Sequence, residues 1–419
     1  MKTEQSGKDC LSNSRLSNQR RIIFEIVANV ERITEPKVNF SKALNRLFRQ
    51  RPNFGSRDRR LYREVVYTYL RFKPWLDPIK GDHVRFTDHL IFLANPTKEV
   101  TPLYSTLDSK LARATESSDR FQYLGKQPRD FAALIPDWMH ARFSRNSKTI
   151  DWQRFFSRPP IWLRCSGIDP NNAVRQLKEA FPDQSESIEL IADPAGMLRC
   201  PPEFPVKQTV LFEKGLVEIQ DISSQILLHF LNTPIRGRWF DACAGAGGKT
   251  LQLSQLLGES GRVVAYDARP DALEELKKRA QRGHCRNISI VSRPPKTRYF
   301  DGVLVDAPCS GSGTWRRHPY LMRQTTEEME TDFAARQLQL LDQYGKLVAT
   351  GGFLVYCTCS LSKSENEDVS QRFLSHRSDF EHFPLAEKFG PREYSIGITV
   401  YPQDFDGDGL YVASFQRKR

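Results

Sequence analysis

The sequence lacks long apolar runs. None of its apolar stretches approaches the roughly 20 residues that a membrane-spanning helix needs. The N-terminal residues MKTEQSGKDC are polar and contain no apolar core of the kind found in signal peptides. These absences argue against a helical membrane protein, and we therefore expect a cytoplasmic protein with no membrane partner.

Paired metal-binding cysteines are lacking as well. The chain contains eight cysteines, but none of them stands in a CxxC pair, so no structural zinc site is predicted. Cys357 and Cys359 could seat a soft metal, yet no second Cys or His pair has a comparable spacing elsewhere. In a long cytoplasmic chain we expect free thiols rather than disulfides, and no bound metal.

A complete phosphate-binding loop is also missing. Lys249 and Thr250 resemble the end of a Walker motif, but Cys243 stands where the first glycine of that motif is required. The GxGxxG spacing of dinucleotide-binding turns is not strictly met either. ATP binding is therefore disfavoured.

The chain does have length and positive charge. Its 419 residues favour two or three domains. Its formal net charge is +12 and its pI is about 9.3. A basic balance fits a polyanionic partner such as nucleic acid, although many basic proteins bind none.

Hydrophobic periodicity divides the chain into three parts. Helical spacing predicts an all-α domain over residues 17–130. A small mixed α/β subdomain is predicted over 131–215, with a helix at Asn171–Ala180 and strand-like runs at Ile161–Arg164 and Thr209–Phe212. Strands and helices alternate over 216–419, which predicts a mostly parallel, Rossmann-like sheet with helices on both faces.

The first strand of this sheet leads into the glycine-rich turn DACAGAGGKT, residues 241–250. Such a turn places backbone N–H groups at a helix N-terminus, where they can bind an anion. Asp267 ends the next strand about 20 residues further on, where a carboxylate can accept hydrogen bonds from ribose hydroxyls. Together the two features fit a nucleoside cofactor, whereas the turn alone could be an ordinary connection.

Two later strand ends carry cysteines that should face the same crevice. Cys309 lies in DAPCSG, three residues after Asp306, and Cys359 lies in YCTCS. A thiolate that adds to carbon 6 of cytosine makes carbon 5 able to attack an activated methyl group. A carboxyl group can supply the proton at nitrogen 3, and a base must remove the proton from carbon 5. Two thiols and one carboxyl group supply this set.

These motifs resemble those of the Sun/RsmB family of RNA (cytosine-5-)-methyltransferases. DACAGAGGKT is similar to the family's DxCAAPGGKT, DAPCSGSG to its DAPCSGTG, and YCTCSLSKSENE to its YSTCSLxxxENE. The resemblance implies an S-adenosyl-L-methionine-dependent enzyme with a seven-stranded catalytic sheet. It is strong from Glu218 onward and moderate before, where Asp58–Arg71 is similar to a NusB-like RNA-binding domain.

The resemblance also implies roles for single residues. Cys359 is expected to be the nucleophile, Cys309 to be needed for product release, and Asp306 to contact the target base and the cofactor. Further cofactor contacts are expected from Cys243, Ala244, Gly245, Ala246, Gly247, Gly248, Lys249 and Asp267. RNA contacts are expected from Arg164, Arg316, Arg317 and His318. Glu365 and Glu367 are interpreted as the acidic start of a helix.

Some positions depart from the family pattern. Ala246 replaces a proline, Cys357 replaces a serine, and Val291–Pro295 lacks the carboxylate that often lies near the adenine. The helical N-terminus favours small-subunit ribosomal RNA as the substrate of a monomeric enzyme, and transfer RNA is the alternative. A DNA methyltransferase would use Cys309 as its nucleophile, and Thr358-Cys359 argues against that class. A non-catalytic RNA-binding assembly factor is a further alternative.

Overall fold

The computed structural model describes residues 13–36, 38–107, 111–112, 120–143, 149–191, 196–232, 235–296, 299–386 and 396–419. These residues form two compact units. The first contains the described residues up to Asp137 together with His318–Thr326, and the second contains those of Trp138–Arg317 and Glu327–Arg419. No helix in the described part of the chain combines the length and apolar character that a membrane crossing requires. The three sequence-based domains 17–130, 131–215 and 216–419 stay a prediction.

The first unit is helical, as predicted. Its longer helices are α1 (Asn13–Ile33), α2 (Phe40–Arg49), α3 (Ser56–Leu76) and α4 (His83–Leu93). The side chain of Asn39 accepts a hydrogen bond from the backbone N–H of Lys42 and caps α2. Apolar residues at helical spacing, such as Phe40, Leu44 and Phe48, are buried.

The second unit begins with a small antiparallel sheet and short helices. The strands are β1 (Ile161–Cys165), β2 (Glu189–Ile191), β3 (Met197–Cys200) and β4 (Val217–Ile219), in the order β2-β3-β1-β4. The helices are α5 (Asp137–His140), α6 (Trp152–Phe156), α7 (Pro170–Ala180) and α8 (Val210–Glu213).

One local prediction in this region is wrong. Thr209–Phe212 is not a strand, because the Thr209 hydroxyl accepts a hydrogen bond from the Phe212 backbone N–H at 3.2 Å and caps helix α8. The predicted strand at Ile161–Arg164 and the predicted helix at Asn171–Ala180 are confirmed as β1 and α7.

The larger sheet of the second unit has the predicted mostly parallel order. Its strands are β5 (Arg238–Asp241), β6 (Arg262–Ala265), β7 (Ile288–Ile290), β8 (Phe300–Asp306), β9 (Val348–Thr358), β10 (Phe380–His382), β11 (Ile398–Val400) and β12 (Leu410–Arg417). Seven strands follow the order β10-β12-β9-β8-β5-β6-β7, and β11 also pairs with β12. The strands β5 to β9 are parallel, whereas β12 runs antiparallel to β9.

Both faces of this sheet are covered. Alternate residues of β8 and β9 enter two different apolar clusters, with Tyr356 in one and Cys357 in the other. The remaining helices are α9 (Ile222–Ile226), α10 (Gly248–Leu257), α11 (Pro270–Arg282), α12 (Pro319–Gln324), α13 (Glu327–Gly345), α14 (Glu367–His376) and α15 (Pro402–Phe405). Helices α13 and α14 pack into the first cluster, and α9 and α10 pack into the second. The predicted fold class is thus confirmed.

Helix α12 interrupts the second unit in sequence but belongs to the first unit in space. The Gln324 side-chain amide donates to the backbone carbonyl oxygens of Glu35 at 3.0 Å and Val38 at 2.9 Å. The Tyr320 ring stacks on the Phe40 ring with a centroid distance of 4.5 Å. The first unit is therefore assembled from two separate stretches of chain.

Candidate active site

The glycine-rich turn after β5 is held by its own backbone. Gly247 has a φ of 91°, and a Cβ atom there would lie 2.2 Å from Leu276 Cδ1. The Ala244 backbone N–H donates to the Tyr266 carbonyl oxygen at 2.9 Å, which ties the turn to the end of β6. Position 247 therefore requires glycine, and α10 begins directly after it with its first N–H groups at the end of the sheet.

A buried carboxyl group supports this turn from below. Asp241, the last residue of β5, is 1% exposed, and its Oδ2 accepts a hydrogen bond from Thr250 Oγ1 at 2.6 Å. Burial raises the pKa of Asp241 to about 7. The bond joins both ends of the turn, so the strand and the following helix are fixed to each other.

Asp267 lies where the sequence predicts a ribose-binding carboxylate. Its Oδ2 accepts the Gly245 backbone N–H at 2.7 Å, and Arg269 donates to both of its oxygens. Although burial opposes the shift, the hydrogen bonds from Arg269 and Gly245 hold the pKa of Asp267 below its ordinary value. The Arg269 side chain is 73% exposed, so it can move aside without disturbing the core.

Asp306 ends β8 beside the cofactor turn. Lys249 Nζ donates to its Oδ2 at 2.8 Å, and only 12% of the Lys249 side chain is exposed. Although burial lowers it, the charge of Asp306 brings the pKa of Lys249 above its ordinary value, so the lysine stays charged. Lys249 therefore fixes the orientation of Asp306 rather than being a solvated side chain.

The two predicted catalytic cysteines lie together. Cys309 Sγ and Cys359 Sγ are 3.2 Å apart at the ends of β8 and β9, and both residues are partly exposed. The hydrogen bond with Cys359, together with burial, raises the pKa of Cys309 well above its ordinary value. The two thiols share one hydrogen bond, for which either sulfur can supply the proton. Cys357 is fully buried in the core, because it precedes the end of β9, whereas Cys359 follows it.

A buried glutamate lies behind this cysteine pair. Glu365 is 0% exposed and accepts hydrogen bonds from Ser310 and Ser360, the residues that follow the two cysteines. Helix α14 begins at Glu367, as interpreted, whereas Glu365 precedes the helix, so the interpretation of Glu365 as part of the helix start is wrong. The serine after each cysteine and the spacing to the glutamate were visible in the sequence, but their contacts depend on the two strands being neighbours.

The arginines that were predicted to bind RNA lie in less exposed places. Arg164 is buried, and its guanidinium donates to the side chains of Gln220 and Gln255. Arg316 is 1% exposed, with hydrogen bonds to Gly407 and to Asp406 at 2.9 and 3.0 Å. Burial lowers the pKa of both arginines. These contacts favour a structural role for Arg164 and Arg316 over the predicted contact with phosphate.

Arg317 is paired but remains within reach of solvent. It forms ion pairs with Asp221 and Asp408, and 25% of its side chain is exposed. These pairs bind the loop after Cys309 to the start of α9 and to the segment before β12. His318 lies in the first compact unit and is partly exposed. RNA contact by Arg317 and His318 stays a prediction.

The residues at this edge of the sheet fit a nucleoside cofactor. The site consists of a glycine turn with no room for a Cβ atom, a carboxylate at the end of β6 and a lysine-bound aspartate at the end of β8. These groups offer N–H donors for a carboxylate and oxygen acceptors for ribose hydroxyls. This edge of the sheet therefore carries the groups that such a ligand needs, in the position that the sequence predicts.

Comparison with known proteins decides the family. Residues 228–416 match the family model described as 16S rRNA methyltransferase RsmB/F. Over residues 228–416 the chain belongs to the RsmB/F family. A Synechocystis sp. relative, named "Probable ribosomal RNA small subunit methyltransferase B", is 26% identical over 372 residues, which cover 85% of this chain and 83% of that protein.

Other matches extend the RsmB/F assignment. Ribosomal RNA small subunit methyltransferase B of Photorhabdus laumondii is 29% identical over 301 residues, covering 68% of this chain and 67% of that protein. The solved structure of PH0851 aligns with a TM-score of 0.69 at 19% identity and covers 95% of this chain and 98% of its own. The structural match shows a shared fold. The RsmB/F family confirms the predicted enzyme class, an S-adenosylmethionine-dependent RNA methyltransferase.

Proposed function

We propose that this RsmB/F enzyme methylates carbon 5 of a cytosine in small-subunit ribosomal RNA, with Cys359 as its nucleophile. The observation that carries the proposal is the pair of partly exposed thiols, 3.2 Å apart, at the strand ends beside Asp306. A DNA-type enzyme needs only the thiol of the Pro-Cys motif, which is Cys309 here. The ribosomal substrate is supported by the family model and by the names of the relatives.

The reaction would use the two thiols in sequence. The Cys359 thiolate forms a bond to carbon 6 of the cytosine, while Asp306 is the carboxyl group placed to share a proton with nitrogen 3. Carbon 5 then takes the methyl group. Once Cys359 is bonded to the base, the Cys309 thiol loses its proton to solvent, and the resulting thiolate removes the carbon-5 proton. The electrons of that carbon–hydrogen bond re-form the double bond between carbons 5 and 6, and the electrons of the bond between carbon 6 and sulfur leave with Cys359 as its thiolate.

The protonated state of Cys309 supports this division of labour. A thiol that keeps its proton is a poor nucleophile but can hydrogen-bond to a neighbouring thiolate. The hydrogen bond with Cys359 and burial both hold Cys309 in that state.

The cofactor would bind across the turn after β5. S-adenosylmethionine supplies the activated methyl group. The predicted contacts in residues 243–248 provide backbone donors at the start of α10, and Asp267 provides acceptors for the ribose hydroxyls once Arg269 moves aside. The hydrogen bond from Lys249 holds the Asp306 carboxylate in place at the end of β8.

RNA binding outside the active site is proposed for the helical N-terminal part. Its resemblance to a NusB-like domain and the net charge of +12 support this view. We further infer that the enzyme acts as a monomer in the cytoplasm, where ribosomal RNA is assembled into subunits.

The deciding experiment measures transfer of labelled methyl groups from S-adenosylmethionine to three substrates. Small-subunit ribosomal RNA, total transfer RNA and duplex DNA are compared at equal cytosine concentration, and bisulfite sequencing locates the modified base. We expect labelling of the ribosomal RNA at one or a few cytosines. Labelling of transfer RNA alone would reject the ribosomal substrate. Cofactor binding by calorimetry without any transfer would instead favour an assembly factor.

A further inference from the structure

The loops that carry the two cysteines share a Cys-Ser sequence. Each cysteine is followed by a serine, in Cys309-Ser310 and Cys359-Ser360, and the two pairs lie side by side. The sulfur atoms are 3.2 Å apart, and the two serine oxygens are also 3.2 Å apart. The serines are almost completely buried, whereas the cysteines are partly exposed. The thiols thus form the accessible layer, and the hydroxyls form a buried layer beneath them.

Glu365 joins the two loops within this buried layer. Its Oε1 accepts the Ser310 backbone N–H and the Gln337 side-chain amide, each at 2.9 Å. Its Oε2 accepts the hydroxyls of Ser310 at 2.5 Å and Ser360 at 2.6 Å. Four donors therefore surround one carboxyl group, and two of its contacts reach the loop of Cys309 while one reaches the loop of Cys359.

The surroundings make this link rigid. Gln337, from α13, also donates to the Pro308 carbonyl oxygen at 2.9 Å, so the residue before Cys309 is held too. The Gly313 backbone N–H donates to the Cys359 carbonyl oxygen at 2.9 Å. Because Glu365 is fully buried and its oxygens are engaged by these donors, it is not placed to exchange protons with a bound base.

We propose that Glu365 is a positioning residue that fixes the separation of Cys309 and Cys359, so that Cys309 can release the base to which Cys359 is bonded. This inference rests on the proposed function. Release needs both sulfurs beside the same base, and a misplacement of about 1 Å can slow a catalytic step about 100-fold. Addition of Cys359 to the base does not need Cys309, so a loosened pair should form the adduct and fail to release it.

Two substitutions separate geometry from charge. Glu365→Gln keeps the length of the side chain, and its amide can be satisfied because the two serine hydroxyls can turn and accept. Glu365→Asp keeps the carboxylate but shortens the side chain by one methylene, so it cannot reach both loops. A positioning role predicts that the glutamine variant works and the aspartate variant does not, whereas a charge role predicts the reverse.

The test measures kcat, KM for the ribosomal RNA and the fraction of enzyme held as protein–RNA adduct on denaturing gels. We expect Glu365→Gln to keep kcat within about threefold of the wild type. We expect Glu365→Asp to lower kcat about 100-fold, to change KM by less than about threefold, and to accumulate adduct. Glu330→Gln is the matched control, because Glu330 is also fully buried but bonds to Ser362 and Arg142 instead.

A structural role alone would lower Tm and leave the adduct fraction as it is in Glu330→Gln, and that result would overturn the proposal. An impaired glutamine variant beside an active aspartate variant would also overturn it. If Glu365→Asp does not fold, Ser360→Ala removes the hydrogen bond from the loop of Cys359 to Glu365 Oε2, and a wild-type adduct fraction in that variant would reject the positioning role. A wild-type enzyme that labels no RNA would instead contradict the proposed function.

Discussion

The two halves of the active-site edge are built differently. On the cysteine half, Ser310, Ser360 and Glu365 are buried, and the loops after β8 and β9 are bonded directly to each other. On the cofactor half, Ala246 is exposed, and Asp267 is bonded by an Arg269 side chain that is 73% exposed. The covalent reaction requires two sulfur atoms at a fixed distance. Binding of the cofactor, in contrast, tolerates exposed side chains that can move.

The difference explains where the sequence departs from the family pattern. Apart from Cys357, which replaces a serine, the motifs around Cys309 and Cys359 follow it closely, whereas Ala246 and the stretch Val291–Pro295 do not. Ala246 is exposed, and its methyl side chain forms no hydrogen bonds. An alanine in place of the proline therefore costs little stability beyond the lost stiffness of the turn. A change on the cysteine half would leave a buried donor or acceptor unpaired.

The largest effect is expected on the cysteine half. Cys359→Ser should abolish methyl transfer, by at least about a thousandfold, because a hydroxyl cannot replace the thiolate. Cys309→Ser should retain addition to the base and leave a stalled protein–RNA adduct on denaturing gels. Cys357→Ser is the matched control, because this buried thiol lies away from the accessible layer. An adduct that accumulates in Cys359→Ser instead would reverse the two roles.

A smaller effect is expected on the cofactor half. Asp267→Asn should weaken S-adenosylmethionine binding about tenfold, because one charged acceptor of the ribose hydroxyls is lost. Arg269→Ala should change the affinity by less than about threefold, because its exposed side chain must leave Asp267 before the ribose can bind. Calorimetric titration of both variants measures this. Equal losses in the two variants would show that Arg269 belongs to the cofactor site.

The smallest effect concerns the pH dependence of stability at the base of the cofactor turn. Burial raises the pKa of Asp241 to about 7, above its unfolded value of about 3.9. The folded chain therefore keeps a proton that the unfolded chain releases, and this stabilisation is lost as pH rises toward 7.

Asp241→Asn should remove that dependence. The free energy of unfolding of the variant minus that of the wild type should increase as pH rises from about 4 to about 7 and stay constant above, by a total on the order of 4 kcal/mol. Thermal unfolding followed by circular dichroism across this range measures the difference. A difference that does not change with pH would mean that Asp241 is ionised in the folded enzyme throughout.

Much of the fold could be predicted because its signals are local. The alternation of strands and helices, the turn after β5 and the cysteines at the ends of β8 and β9 depend on short sequence patterns. The misassigned segment Thr209–Phe212 shows the limit of such patterns, because a single capping threonine turned a strand-like run into a helix.

The contacts of the charged side chains could not be predicted in the same way. Arg316 and Asp406 are 90 residues apart in sequence, yet they are bonded at 3.0 Å. Ser310 and Glu365 are 55 residues apart. A sequence shows that Arg316 is basic, but only the packing of distant loops shows that its charge is paired inside the protein.

The origin of helix α12 has a consequence for synthesis. Because His318–Thr326 completes the first unit, that unit cannot reach its final packing on the ribosome until Thr326 has emerged. By then the polypeptide already includes the cofactor turn and the loop of Cys309. The helical part therefore matures together with the enzyme rather than ahead of it, and cutting the gene at the end of α4 or at Asp137 would not yield an intact module.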